Sequence, residues 1–289
     1  MHSGTLLLFN KIVLVLIPSS SFVTACQFLY CIIGILAMNF LHIVTIDKIT
    51  GDVIKKYGMY TVMFVAGIYT NMQALKFSNV DTVIVFRSAT PIAVSMLDFL
   101  FLGRQFPSLR SLGALFVILF GSCWYVSQDE TSTVQSYTWA FAYLCIISVE
   151  MAYGKMLVRD ISISLTTSVF VSNLFAFLPM VLLGYSRGDF DNIDPEWFTP
   201  SATTLLLISC VVSGGIGYSA WWCRTVVSAT TFTLVGVLCK ISTILLNILI
   251  WDKHASPMAT LGLMACLLGG SLYQQAPLRN EKPKPISPV

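Results

Sequence analysis

Apolar residues in this chain come in long, nearly unbroken runs, and the polar residues gather in short clusters between them. Neither a soluble helix nor a half-buried strand is written this way. Runs of about twenty apolar residues match the hydrocarbon thickness of a bilayer. Such runs predict membrane helices over residues 21–46, 57–77, 79–102, 111–126, 134–153, 163–183, 203–222, 228–250 and 256–275. An earlier run, 1–17, is short, carries Asn10-Lys11 and stops at Pro18. It has no positive charge ahead of its apolar part, as a signal peptide would. It is expected to be a first helix shortened at its start. The fold class predicted is an all-α membrane protein of about ten transmembrane helices.

Composition agrees. Of 289 residues 56% are hydrophobic and 11% charged, against about 25% charged in soluble domains. Mean hydropathy is +0.78. The net charge of +3 is too small to point to nucleic acid. Eight cysteines lie in apolar runs with no CxxC pair. They are expected to act as small buried hydrophobes rather than disulfides or metal ligands. No nucleophile–base pair or metal cluster is visible, so no enzyme and no cofactor is expected.

If residue 1 faces the cytosol and ten spans alternate, the cytosolic loops and tail hold eleven basic residues. These are Lys48, Lys55, Lys56, Arg104, Arg110, Lys155, Arg159, Arg224, Arg279, Lys282 and Lys284. The opposite loops hold only Arg187 and Lys253. That bias predicts a cytosolic C-terminus. The Pro/Lys-rich stretch 276–289 is expected to be a disordered cytosolic tail.

The two halves resemble each other. A shift of 149 residues places Tyr69 on Tyr218, Thr82 on Thr231, Gly113 on Gly262, Gly121 on Gly270 and Ser122 on Ser271. Five spans separate the copies, so they are inverted. Residues 1–127 form the first repeat and 128–275 the second, an architecture known among transporters, with substrate held near the midplane.

Within the ninth span Lys240 sits near mid-depth, four residues after Gly236. A charge there costs a few kcal/mol, offset by a water-filled cavity, a protein partner or an anionic ligand. The alternatives are a structural ion pair or a lysine that snorkels. Under the 149-residue shift Arg87 falls on Gly236, which makes Arg87 and Lys240 near-symmetric cations. Two fixed cations suit a diphosphate. A salt bridge from Arg87 to Asp81 or Glu150 is the other option. Gly236 and the glycines at 214, 215 and 217 either admit a ligand or pack helices, with packing favoured for the 214–217 group. Tyr69, Tyr218 and Phe232 either stack on a base or sugar or pack. Asn173 either contacts ligand or bridges helices.

These residues carry a resemblance. Residues 216–275, with VIVFRSATPIAV at 83–94 and VEMAYGKMLV at 149–158, resemble nucleotide-sugar transporters of the drug/metabolite transporter superfamily, in particular its GDP-mannose and plant-type GDP-fucose branch. That family has a GALNK-type motif on its ninth helix, which here is Gly236-Val237-Leu238-Cys239-Lys240. Its FYNN-type motif on the seventh is Phe170-Val171-Ser172-Asn173. Asparagine has become Cys239, and the aromatic before the glycine motif is Phe232. The resemblance implies a Golgi antiporter that brings in a cytosolic GDP-sugar, GDP-mannose or GDP-fucose, and returns GMP. Lys240 and Arg87 would bind phosphates, Gly236 with nearby backbone and Asn173 would help read the nucleoside, and Ser172 is implied as a further substrate-binding residue. The partners implied are these nucleotides and the lipid bilayer, with a homodimer left open. The departures keep two alternatives in view: a carrier of another phosphorylated or anionic solute, and a non-transporting membrane scaffold.

Overall fold

The computed structural model describes residues 13, 16–77, 80–126, 134–191, 195–250 and 257–279. Within these, side chains 20, 72, 75–77, 80–85, 125–126, 134–136, 196, 240, 242–250, 257–260 and 263 lie outside the description. The described residues form α-helices and one short 3₁₀ turn. In order the helices are α1 (Ser20–Phe40), α2 (Gly51–Phe77), α3 (Val80–Phe101), α4 (Leu109–Val126) and α5 (Val134–Asp160). There follow α6 (Leu165–Ser186), the 3₁₀ turn Pro195–Phe198, α7 (Pro200–Val226), α8 (Ala229–Ile250) and α9 (Pro257–Leu272). By length and composition, α1, α5, α6 and α7 each contain a segment apolar enough to cross a membrane. The run 1–17 lies outside the described residues except for 13, 16 and 17.

Several element ends depart from the sequence expectation, most plainly those of α1, α2 and α5, which runs on to Asp160 rather than 153. The second span was expected to reach residue 46, yet α1 stops at Phe40. His42 there takes a left-handed φ of 56°, and the Asn39 side chain accepts the Ile46 N–H at 3.1 Å. Apolarity continues through the turn, so composition alone could not mark the stop. Conversely, α2 starts at Gly51, inside the expected loop, helped by the Lys56–Asp52 pair at 3.0 Å.

The chain divides into two compact units, and each draws on both sequence halves. Unit 1 comprises residues 1–68 and 157–226. Here α1 packs on α6 and α7, and α6 on α7. Ser19 caps α1 by accepting the Phe22 N–H at 3.3 Å. Val13, Ile17, Val23, Trp197 and Ala202 close one end as an apolar cluster.

Unit 2 comprises residues 69–156 and 227–289. Here α4 packs on α9 and α3, and α8 on α3 and α9. Leu115, Ile118, Leu234, Val237, Ile241 and Cys266 form its core. The α4–α9 contact depends on glycine: a Cβ at Gly121 would stand 2.6 Å from the Gly262 carbonyl oxygen. At one end, residues 273–279 lie along the 103–111 loop. The Gln105 N–H donates to Pro277 O at 2.9 Å, the Arg279 N–H to Gly103 O at 2.9 Å, and Ser111 Oγ to Gln274 O at 2.8 Å. The expected disordered tail therefore has its first four residues ordered; 280–289 lie outside the described residues.

Polarity in both units is inverted relative to a soluble protein. Large apolar side chains such as Phe40, Leu100, Phe120, Leu178 and Leu268 are exposed, while hydroxyls including Thr61, Thr90, Ser122, Thr167, Ser209 and Thr233 are buried. Several of these bond the carbonyl one turn back, as Thr61 does to Tyr57 O at 2.9 Å and Thr233 to Ala229 O at 2.8 Å. A hydroxyl satisfied inside its own helix needs no water. Of the eight cysteines, only Cys210 and Cys266 are buried, and Cys123 and Cys145 are exposed. Expecting all eight to be buried was wrong, because an apolar run in this fold has an outer face too.

Candidate functional site

Unit 2 contains five of the eight candidate residues: Tyr69, Arg87, Phe232, Gly236 and Lys240. Helices α3 and α8 pack together, and one contact fixes their register. Asp98, near the end of α3, accepts the Thr230 N–H at 2.9 Å and the Thr230 hydroxyl at 2.6 Å, both on Oδ2. The end of α3 thus meets the start of α8, and the two run antiparallel. Arg87 lies eleven residues back along α3, about 16 Å from that contact at 1.5 Å per residue. Lys240 lies ten residues along α8, about 15 Å from it. By this count the two backbone positions stand at matching helical distances from the contact, each about half the hydrocarbon thickness of a bilayer.

Helical periodicity places 229, 233, 236 and 240 on one face of α8. Ala229, at the foot of that face, packs with Val94 of α3, Leu102 just past its end and Ala152 of α5. Position 240 continues the same stripe; its side chain lies outside the described residues. A Cβ at Gly236 would meet nothing within 4 Å among the described residues, so the backbone there is open to approach.

Arg87 is half-buried, and its guanidinium Nη1 donates to Tyr143 Oη on α5. The same guanidinium lies 6.0 Å from the Tyr143 ring centroid. The ring is packed among Ala74, Ala140 and Ile147. Glu150, buried two turns further along α5, is close enough, like Arg87, to act electrostatically on the Tyr143 phenol. Ion pairs among the described residues include Lys56–Asp52 and Arg159–Asp160; the contact described for Arg87 is with Tyr143. The Asp81 side chain lies outside the described residues. Tyr69 meets Trp139 edge-on at 6.1 Å. Phe232 is partly buried in the first turns of α8.

Unit 1 holds Ser172 and Asn173 on α6 and Tyr218 on α7. Asn173 Nδ2 donates to Val169 O at 2.7 Å, which uses one of its two amide N–H groups. Ser172 Oγ accepts the Trp221 indole N–H at 3.1 Å. Tyr218 is exposed. Glycines 214, 215 and 217, expected as packing contacts, have nothing within 4 Å of an added Cβ among the described residues, so that preference is corrected.

Sequence reasoning missed Arg224. It was counted among cytosolic loop charges, but it lies in the last turn of α7 and is buried. Its Nη1 donates to Tyr60 Oη at 2.9 Å, and its guanidinium stands 5.4 Å from the Tyr60 ring and 5.1 Å from the Trp221 ring. Trp221 also binds Ser172, so this cation and the α6 motif share one neighbour. The Trp-Trp-Cys-Arg run was the available signal: an arginine directly after bulky apolar residues can stay inside.

Apolar outer faces, an interior of hydroxyls and a cation within a helix define a helical membrane protein. The chain belongs to the triose-phosphate transporter family, whose sequence model matches residues 1–274. It is 34% identical over 97% of its length to GDP-fucose transporter 1 of Arabidopsis thaliana, covering 84% of that protein. It is 31% identical over 96% of its length to the GDP-mannose transporter GONST3 of the same plant, covering 77% of it. GDP-mannose transporter 1 of Saccharomyces cerevisiae matches at 24% identity over 90% of this chain and 82% of that one. A solved crystal structure matches over 94% of both chains with a TM-score of 0.63 and 14% identity, a likeness of fold alone.

Proposed function

We propose that this chain is a GDP-sugar carrier that exchanges a cytosolic GDP-sugar, GDP-fucose or GDP-mannose, for lumenal GMP across the Golgi membrane. The reading rests on positions 87 and 240 standing at matching helical distances from the Asp98–Thr230 contact on adjacent antiparallel helices. Two fixed cations half-way through a bilayer are expensive without an anion, and a diphosphate offers one phosphate to each. Arg87 supplies a fork for phosphate oxygens and Lys240 a point charge. The names of the relatives point to the same cargo.

The architecture proposed is ten spans in two inverted repeats with a cytosolic tail. In support, three pairs of helices related by the 149-residue shift pack on each other: α1 with α6, α3 with α8, and α4 with α9. Exchange follows if GDP-sugar and GMP differ in affinity for the inward- and outward-open states.

The test uses purified protein in liposomes loaded with GMP, with labelled GDP-fucose and GDP-mannose outside. The parent is expected to exchange at least one of them and to be inhibited by GMP but not UMP. Lys240→Ala and Arg87→Ala should each lower uptake by about tenfold or more, the worth of one charge-assisted phosphate contact. Uptake by Lys240→Ala equal to the parent would remove the site assignment. Inhibition by small sugar phosphates but not nucleotides would instead favour a carrier of simpler phosphorylated solutes.

A further inference from the structure

Asp98 belongs to no motif, yet everything about its setting is unusual. Its side chain is 98% buried, with relative exposure of 2%. One oxygen, Oδ2, takes both the N–H and the hydroxyl of Thr230. The other, Oδ1, is buried with no hydrogen-bond partner among the described residues. A buried acceptor left without a donor is costly, so this is a poor way to build a mere helix cap. The start of α8 does not lack one. Ser228 Oγ already accepts the Thr231 N–H at 3.0 Å, and Gln275 Oε1 accepts the Ser228 N–H at 3.0 Å. What Asp98 adds is a tie from α3 to α8, and those are the two helices that carry Arg87 and position 240.

We propose that Asp98 is a positioning residue for the paired cations: by gripping Thr230 it locks α8 in register with α3, so that positions 87 and 240 stay level and act together on a diphosphate. The inference rests on the GDP-sugar reading above. It predicts a specific asymmetry. A ligand with two phosphates needs both cations at one height. A ligand with a single phosphate needs only one of them. Loosening the tie should therefore harm the first much more than the second, whereas general damage to the fold would harm both alike. An anion at a helix start also opposes the dipole of α8 favourably, which an amide does only in part.

The experiment measures binding of GDP and of GMP to the purified full chain in detergent by calorimetry, for the parent, Asp98→Ala, Asp98→Asn and Thr230→Val. The expected result is a GDP affinity lowered about tenfold in Asp98→Ala, with GMP affinity changed by no more than about twofold. Asp98→Asn, which keeps an acceptor, should recover part of the GDP affinity. Thr230→Val deletes only the hydroxyl and should move the GDP-to-GMP preference in the same direction. It decides the matter if Asp98→Ala does not fold. Equal losses for the two nucleotides, or an unchanged preference in Thr230→Val, would overturn the inference while leaving the GDP-sugar reading intact. A parent that binds neither nucleotide would overturn that reading, and this inference with it.

Discussion

The Arg87 guanidinium is anchored within the helix bundle by the Tyr143 phenol, which accepts one of its N–H groups while the ring is held by Ala74, Ala140 and Ile147. Tyr143→Phe preserves that packing and removes only the acceptor. GDP-sugar affinity in a direct binding assay should then fall by about tenfold, since a hydrogen bond from a charged donor is worth roughly 1.5–3 kcal/mol. The melting temperature should move little. Arg224 makes the complementary case. Its worth lies in a flat guanidinium between Tyr60 and Trp221. Arg224→Lys keeps the charge and loses the stacking, and should lower thermal stability by about 1–2 kcal/mol. Arg87 was legible in the sequence because it interrupts an apolar run far from either end. Arg224 was not, because it stands at a run's edge, where a linear count cannot tell a helix's last turn from a loop. Tyr143 was invisible for another reason: an aromatic in an apolar run announces nothing until its partner on another helix is known.

At the scale of elements, α4 and α9 approach so closely at Gly121 that a methyl group would press on the Gly262 backbone. Small residues are the usual means of close helix contact in membranes, where apolar burial supplies no drive. Gly121→Ala should therefore cost about 1–3 kcal/mol, read as a lower melting temperature, because backbone rather than a flexible side chain must yield. The start of α6 shows a polar equivalent. Ser164 caps it, and Asp47 from the α1–α2 loop accepts the Ser164 N–H at 2.5 Å and the Thr167 hydroxyl at 3.1 Å. The Ser164 N–H is the main reason the Asp47 carboxyl is held below its ordinary value of 3.8. A lowered carboxylate contributes stability above its unfolded pKa and loses it as pH falls through the folded one. Amide exchange at 164–168 should thus be flat from pH 7 down to about 5, once corrected for intrinsic rates, and rise only below about pH 4. Asp47→Asn should show the faster exchange already at pH 7. Most helix positions were legible from apolar run length alone. Their ends were not: α1 stops in the middle of apolar sequence because His42 adopts a left-handed turn braced by Asn39, and hydropathy carries no trace of that.

On the scale of the whole molecule, the repeat boundary visible in sequence is not the boundary of the compact units. Each unit takes helices from both halves, so α1 finds α6 and α7, and α3 finds α8, only across the repeat. Residues 1–127 expressed alone should consequently fail to give a monodisperse, cooperatively melting product. The same fragment coexpressed with 128–289 should recover one. Self-similarity at a shift of 149 residues points to two repeats but not to this exchange of partners, since a shift pairs equivalent positions without saying which of them touch.

Such interleaving has a bearing on biogenesis. A chain that leaves the ribosome from one end inserts α1, α3 and α4 well before α6, α8 and α9 exist. In that interval the guanidinium of Arg87 has yet to meet Tyr143 on α5. A charged group unpartnered in lipid is costly, so the early helices are expected to depend on shelter from the insertion machinery until the later ones arrive. Slowing translation between codons 130 and 200 should lengthen that exposure and increase degradation of the nascent protein, which pulse-chase labelling would register.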